Sequence, residues 1–144
     1  MASGVDETVL EIRDYEGEGY QPLVDFAGWR VAILRYLDGI HPDRNASMER
    51  HTRTDEVFVL TKGRGVLLMG GSEPKVDEIS PQVMETGRIY NVKQNAWHTI
   101  LLSRDASVLI VESRDTGKEN SEYFHLSEDQ RALLKGIARR EHLD

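Results

Sequence analysis

The chain contains no cysteine, and this absence excludes several classes of chemistry. Disulfide bonds, thiolate metal sites and a cysteine nucleophile are all ruled out. Any metal must therefore be bound by His, Asp, Glu or other oxygen donors. Proline is also scarce, with 4 residues beside 12 glycines, while 39% of the residues are hydrophobic. This composition is typical of an ordinary folded protein and not of a disordered or fibrous one.

Long apolar runs and an excess of positive charge are also missing. No stretch approaches the roughly 18 apolar residues of a membrane span, and the first 17 residues show no basic leader before an apolar run. We therefore expect a cytoplasmic protein with no membrane partner. The formal net charge of -7 disfavours binding to phosphate backbones, so we expect no nucleic-acid partner.

The common motifs of nucleotide-binding and hydrolytic enzymes are absent too. Gly63-x-Gly65 lacks a third glycine and a following helix, so it does not predict a nucleotide loop. The sequence has no G-x-S-x-G, no P-loop and no H-E-x-x-H.

Short alternating or apolar runs, bounded by turn residues, recur along most of the chain and predict an antiparallel all-β fold. The predicted strands are 8–13, 23–26, 29–37, 57–61, 65–69, 82–85, 88–92, 98–103 and 107–113. The polar segments 40–50 and 70–81 are predicted to be connections. The length of 144 residues favours a single domain, 1–144.

The periodicity changes near the C-terminus. Ser127 followed by Gln130 matches a helix capping box, which predicts a helix over about Glu128 to Arg140 on the outside of the β structure. Its predicted apolar face is formed by Leu126, Leu133, Leu134 and Ile137.

Possible metal ligands are concentrated in residues 49–56, and one more imidazole follows some forty residues later. Glu49 and His51 are two apart, so on a strand they share a face. Glu56 lies five positions beyond His51 and needs a turn or bulge to face the same way. His98 begins a strongly apolar strand. The alternative interpretation is a solvated turn carrying His51 and Glu56, with a buried His98 that binds a backbone carbonyl.

The spacing of these residues resembles the two motifs of the cupins. The first cupin motif is G-x5-H-x-H-x3-4-E-x6-G, and this sequence has Glu49-x-His51-x4-Glu56-x6-Gly63. The second is G-x5-P-x-G-x2-H-x3-N, and this sequence has Gly87-x5-Lys93-x-Asn95-x2-His98-x3-Leu102. The resemblance covers roughly residues 29–113.

This resemblance implies a double-stranded β-helix, or jelly-roll barrel, with its core at about 22–113 and the C-terminal helix outside. It implies that His51, Glu56 and His98 bind one divalent metal ion, which would be Mn, Fe, Ni or Zn. It further implies a small-molecule ligand or substrate. Because such barrels leave sheet edges, we also expect a homodimer, with residues 8–13 as the pairing segment.

The departures from the cupin motifs are informative. Asn95 replaces a glycine but tolerates the same left-handed conformation. Glu49 replaces the first histidine, and several roles are open: a fourth metal ligand, a catalytic base, a hydrogen-bond partner of His51 or the substrate, or a surface charge paired with Arg50 or Arg53.

The leading hypothesis is a divalent-metal cupin enzyme that acts on a small oxygen-rich molecule such as a sugar or an organic acid. Isomerase, epimerase, lyase and dioxygenase chemistry all remain open. The alternatives are a non-catalytic small-molecule binding or sensor barrel and a structural barrel without metal. Four basic residues are candidates for contacting an anionic substrate: Arg53, Arg64, Arg88 and Lys93.

Overall fold

The structure is a computed structural model that describes residues 4–144. Within this range the chain forms ten strands and one α-helix. The strands are β1 (Gly19–Phe26), β2 (Trp29–Arg35), β3 (Ser47–His51), β4 (Glu56–Lys62), β5 (Gly65–Met69), β6 (Ser80–Val83), β7 (Tyr90–Val92), β8 (His98–Leu102), β9 (Ser107–Ser113) and β10 (Ser121–His125), and the helix is α1 (Glu128–Arg140).

The strands form two antiparallel sheets of five. The order in one is β1-β2-β9-β4-β7, here sheet A, and in the other β10-β3-β8-β5-β6, here sheet B. Strands that are distant in sequence are neighbours in both sheets, which is the crossover pattern of a jelly roll. The predicted all-β fold with a C-terminal helix is confirmed.

The inward faces of the two sheets enclose one apolar core. Phe58 and Ile110 come from sheet A, and Leu67 and Ile100 come from sheet B. Strand β9 alternates strictly between buried and half-buried positions, so only one of its faces belongs to this core. The core fills one end of the barrel and leaves a cavity at the other.

A second apolar cluster lies on the outer face of sheet B. Helix α1 buries Leu134 and Ile137 against Met48 and Leu68 of that sheet. The helix begins with the predicted capping box: the Ser127 side chain accepts from the Gln130 backbone N–H, and the Gln130 side chain accepts from the Ser127 backbone N–H. Sheet B is therefore covered on both faces.

The apolar face of α1 is narrower than predicted. Leu133 is 45% exposed, because the helix contacts the sheet along the row of Leu134, Ile137 and Ala138 only. No helix in the described part of the chain has both the length and the apolar character to cross a membrane.

The predicted strand 8–13 is wrong. Asp6 instead begins a single turn, in which its carbonyl accepts from the N–H of Val9 and Leu10 and its carboxylate from the N–H and hydroxyl of Thr8. These local bonds compete with strand pairing.

Two real strands were not predicted. Strand β3 lies partly inside the segment 40–50, and β10 follows the last predicted strand. Both carry polar side chains on the face toward the cavity, so neither shows the apolar alternation that identifies a strand from sequence.

Candidate metal site

Three strands bring the four candidate residues together at the open end of the barrel. Glu49 and His51 are alternate residues of β3 and share a face, as predicted, and this face points into the barrel. His98 is the first residue of β8 and pairs in register with Glu49. Glu56 is the first residue of β4, in the opposite sheet. One ligand atom from each of the four lies within 4.8 Å of the others.

The turn between His51 and Glu56 is fixed by a neighbouring loop. Asp55 accepts hydrogen bonds from the Gln94 N–H at 2.7 Å and the Asn91 amide at 3.0 Å. The Asn95 N–H donates to the His51 carbonyl at 2.8 Å. Asn95 adopts φ 67°, the left-handed conformation expected at this motif position. The loop before His98 thus fixes the other side of the site.

Glu56 lies between the two imidazoles. Its Oε1 is 3.2 Å from His51 Nε2 and 3.0 Å from His98 Nε2. Glu49 Oε1 is farther from the same two nitrogens, at 3.8 and 3.9 Å. The side chains of His51, Glu56 and His98 are buried, whereas that of Glu49 is 40% exposed to the cavity. Glu49 therefore differs in position from the three buried groups.

Hydrogen bonds at the far side of each imidazole hold its orientation. His98 Nδ1 lies 3.0 Å from the Ala96 carbonyl, and His51 Nδ1 lies 2.8 Å from the Ser121 hydroxyl. A carbonyl can only accept, so His98 Nδ1 carries a proton and its Nε2 presents a lone pair to Glu56 in the neutral ring. Such outer contacts are the usual support of metal-bound histidines.

The pKa values of the site residues reflect how close the Glu56 carboxylate lies to the two imidazoles. Burial alone would lower the pKa of both His51 and His98, but the Glu56 carboxylate outweighs it and raises the pKa of each imidazole. Burial likewise opposes ionisation of Glu56, yet hydrogen bonds from His51, His98 and Glu112 lower its pKa. The site therefore attracts positive charge, which can be supplied by protons on the imidazoles or by a cation.

The donor set fits a divalent metal ion. Metal bonds of about 2.0–2.2 Å at right angles place two donor atoms about 3 Å apart, which matches the spacing of Glu56 Oε1 from each Nε2 (3.2 and 3.0 Å). Two imidazoles and one carboxylate also form the ligand set of facial-triad sites. Glu49 Oε1 is farther from both Nε2 atoms than this spacing.

Glu112 is a buried residue of the candidate site that the sequence analysis missed. It lies on β9 beside Glu56, since Val57 pairs with Val111, and it is 6% exposed. Its carboxyl accepts from Arg30 at 2.8 Å and from the Tyr20 hydroxyl. Burial and the adjacent Glu56 carboxylate raise the pKa of Glu112 to about 7.

A signal for Glu112 was present in the sequence. Val108, Ile110 and Glu112 are alternate residues of one strand, and all three are buried. A carboxylate in the apolar register of a strand needs a partner. Alternation along 107–113 would have placed this carboxylate inside the barrel.

The site opens into a cavity of about 450 Å³. Its lining includes the polar groups of Tyr20, Arg30 and Glu112. Tyr123 and Lys118 also contribute to the lining. The apolar part of the lining includes Leu34, Ile40, Phe58, Ile100 and Ile110.

The four basic residues proposed for substrate contact do not line this cavity. Arg64 donates to the carbonyls of Glu141 and His142 just beyond helix α1. Arg88 pairs with Glu85, and Lys93 pairs with Asp55. Arg53 is exposed. The basic residues that do line the cavity are Arg30 and Lys118.

Comparisons with known proteins establish the fold. No protein-family model and no curated protein matches the sequence. Among solved structures, a cupin-2 domain protein from Shewanella frigidimarina has 13% identity and a TM-score of 0.51, over 69% of this chain and 85% of that one. The nucleoside dehydratase Pac13, from Streptomyces, has 12% identity and a TM-score of 0.52, over 81% and 88%.

A third similar structure is that of HppE in its Fe(II) form. It has 17% identity and a TM-score of 0.50, over 65% of this chain and 48% of that one, so this chain matches about half of it. The chain therefore has the cupin fold, and the resemblance inferred from the two motifs is confirmed at the level of the fold.

Proposed function

We propose that this protein is a metal-dependent cupin enzyme that acts on a small oxygen-rich molecule such as a sugar or an organic acid. The observation that carries the proposal is the convergence of two imidazole Nε2 atoms on one buried carboxylate oxygen. Acceptors at this spacing repel one another unless a cation or protons lie between them. The barrel holds all three on strands, which limits their relaxation.

His51, Glu56 and His98 would bind one divalent ion. When bound, such an ion supplies Lewis acidity toward an oxygen of the substrate. The Fe(II) form of HppE and the nucleoside dehydratase Pac13 show that this fold accommodates iron in one protein and a small polar substrate in another. These likenesses support the proposal but leave the metal and the reaction open.

The other residues that line the cavity would have separate roles. Glu49 faces the cavity next to the imidazoles, where its carboxylate would accept a proton from the substrate or bind the ion as a fourth ligand. Tyr20, Arg30 and Glu112 are polar lining residues that would orient substrate hydroxyl groups. The apolar lining residues would exclude water from the reacting atoms.

Metal content tests this proposal directly. Wild-type protein and the variants His51→Ala, Glu56→Ala, His98→Ala and Glu49→Ala would be incubated with Mn, Fe, Ni and Zn, desalted and analysed by elemental mass spectrometry. We expect near-stoichiometric metal in the wild type and its loss from the first three variants. His125→Ala, an exposed residue of β10, is the matched control and should retain the metal.

A wild type that stays empty with all four metals would overturn the proposal. The Glu49→Ala result distinguishes the two roles proposed for Glu49. Loss of metal would identify Glu49 as a ligand, and retained metal would favour its role as a base.

A non-catalytic binding or sensor barrel is the second candidate. The apolar lining residues of the cavity favour it, because such a surface can bind a ligand without contributing to turnover. Binding of a small molecule to both the metal-free and the metal-loaded protein, without any turnover, would support this candidate over the enzyme.

We also propose that the protein forms a homodimer in the cytoplasm. The dimer is supported by apolar side chains of the N-terminal segment that are exposed to solvent. They are Val5, Val9, Leu10 and Ile12, which are 48–78% exposed. A second copy could cover them.

A further inference from the structure

The segment between β9 and β10, residues 114–120, is linked to the candidate site through the side chain of Ser121, the first residue of β10. The hydroxyl of Ser121 donates to the Gly117 carbonyl at 2.7 Å and lies 2.8 Å from His51 Nδ1. A hydroxyl has a single proton, and here it is used in the bond to Gly117. Ser121 must therefore accept from His51, so His51 Nδ1 carries a proton.

The Gly117 carbonyl also accepts from the Asn120 backbone N–H, at 3.3 Å. The Asn120 side chain accepts from the Gly117 N–H at 2.8 Å and donates to the Asp115 carbonyl at 3.0 Å. Asn120 is 8% exposed, so these bonds are shielded from water. Its own carbonyl accepts from both the N–H and the hydroxyl of Thr52, at 2.9 and 3.0 Å. Thr52 follows His51 directly, so the segment is attached to the backbone beside the imidazole.

Arg30 fixes the other end of the segment. Its guanidinium donates to the carbonyls of Arg114 and Thr116, both at 3.0 Å, and to the Glu112 carboxylate at 2.8 Å. Because Arg30 lies on sheet A and Ser121 on sheet B, the segment is fixed with respect to both sheets. Ser121 is thus presented to His51 by a preorganised support.

We propose that Ser121 is a positioning residue that holds neutral His51 as its Nδ1–H tautomer, and that it thereby sets the affinity of the site for a divalent cation. The opposite tautomer would direct an N–H, and not a lone pair, toward Glu56 and any cation beside it. The affinity part of this inference rests on the proposed function. The tautomer part does not, because it concerns the metal-free protein.

The first test measures the tautomer itself. Nitrogen-15 NMR of metal-free protein, at a pH where both imidazoles are neutral, distinguishes the Nδ1–H from the Nε2–H form of His51. We expect the Nδ1–H form in the wild type and in Ser121→Thr, which keeps the hydroxyl. In Ser121→Ala we expect the Nε2–H form to appear. An unchanged His51 tautomer in Ser121→Ala would overturn the inference.

The second test measures affinity for Zn²⁺ by competition with a chromophoric chelator. Loss of an outer hydrogen bond to a metal-binding histidine typically weakens binding by about 10- to 100-fold, and we expect that loss for Ser121→Ala but not for Ser121→Thr. Ser47→Ala is the matched control, since Ser47 also lines the cavity, whereas the hydroxyl beside His51 Nδ1 is that of Ser121. Equal Zn²⁺ affinity in Ser121→Ala and Ser47→Ala would overturn the affinity part.

The two tests also separate this inference from the proposed function. If the wild type binds no metal, the proposed function fails, and the tautomer spectra alone decide the role of Ser121. Ser121 lies on an edge strand, so Ser121→Ala should fold, and the Thr variant provides a second comparison if it does not.

Discussion

The carboxyl groups of Glu56 and Glu112 form a buried pair that gives a specific prediction for the metal-free protein. The variant Glu112→Gln tests this prediction. The pKa of Glu112 is raised from 4.5 to about 7, so between these pH values the folded protein keeps a proton that the unfolded chain has released. The free energy of unfolding must therefore fall as the pH rises through this window. A glutamine cannot ionise, and its amide can still donate to Glu56 and accept from Arg30 and Tyr20.

The magnitude follows from the raised pKa. One pKa unit corresponds to about 1.4 kcal/mol, so a fully buried Glu112 would lower the free energy of unfolding by roughly 3 kcal/mol across this pH window. The cavity admits solvent, which screens the carboxyl pair, and we expect about 2 kcal/mol. The variant and the wild type should be about equally stable at pH 5, where Glu112 is protonated. At pH 8 Glu112→Gln should be the more stable protein by about this amount.

Urea unfolding of chelator-treated protein at pH 5 and pH 8 provides the assay. Trp97 is 3% exposed and reports loss of the core by fluorescence. The changes in His51 and His98 protonation occur in both proteins. The difference in unfolding free energy between the wild type and the variant therefore reports the contribution of Glu112. Glu16→Gln, at an exposed position, removes one charge without affecting the pair and should show no such difference. A stability difference that is the same at both pH values would refute the reasoning.

Three further predictions concern stability and assembly. Leu134→Ala should lower the free energy of unfolding by about 2–5 kcal/mol in urea, because Leu134 is fully buried between α1 and sheet B. Arg50→Ala should lower the free energy of unfolding by about 1–2 kcal/mol in the same assay. The reason is that the Arg50 guanidinium lies 4.4 Å from the Trp97 ring centre and donates to the loop carbonyl of Glu73. An unchanged unfolding midpoint would contradict this prediction. Light scattering after gel filtration should give twice the mass of the chain for the wild type. A double variant with Val9→Asp and Ile12→Asp should give the mass of one chain. A monomeric wild type would exclude the dimer.

Much of the fold was predictable because its cues are local. The alternation along β4 and β9 identifies strands with one buried face, and the capping box at Ser127 identifies the start of α1. The convergence of His51, Glu56 and His98 was implied by the resemblance to the cupin motifs, whereas strand periodicity by itself predicted only that Glu49 and His51 share a face. Asn95 adopts the left-handed conformation expected of it.

The rest depended on contacts between distant parts of the chain. Tyr20 and Glu112 are 92 residues apart, and nothing near either residue indicates the other. Strand β10 is paired along one edge of sheet B with β3, and its polar inward residues are explained only by the site that they face. Arg64 is basic and near the first motif, but its role is to bind carbonyls at the end of α1.

The three buried candidate ligands do not belong to one sheet. Glu56 is on sheet A, whereas His51 and His98 are on sheet B. An ion held by all three would act as a removable cross-link between the two halves of the barrel at its open end. Loading and stripping the ion would then change mechanical resistance and unfolding cooperativity, and amide hydrogen exchange should slow in β3, β4 and β8 together when the cross-link forms.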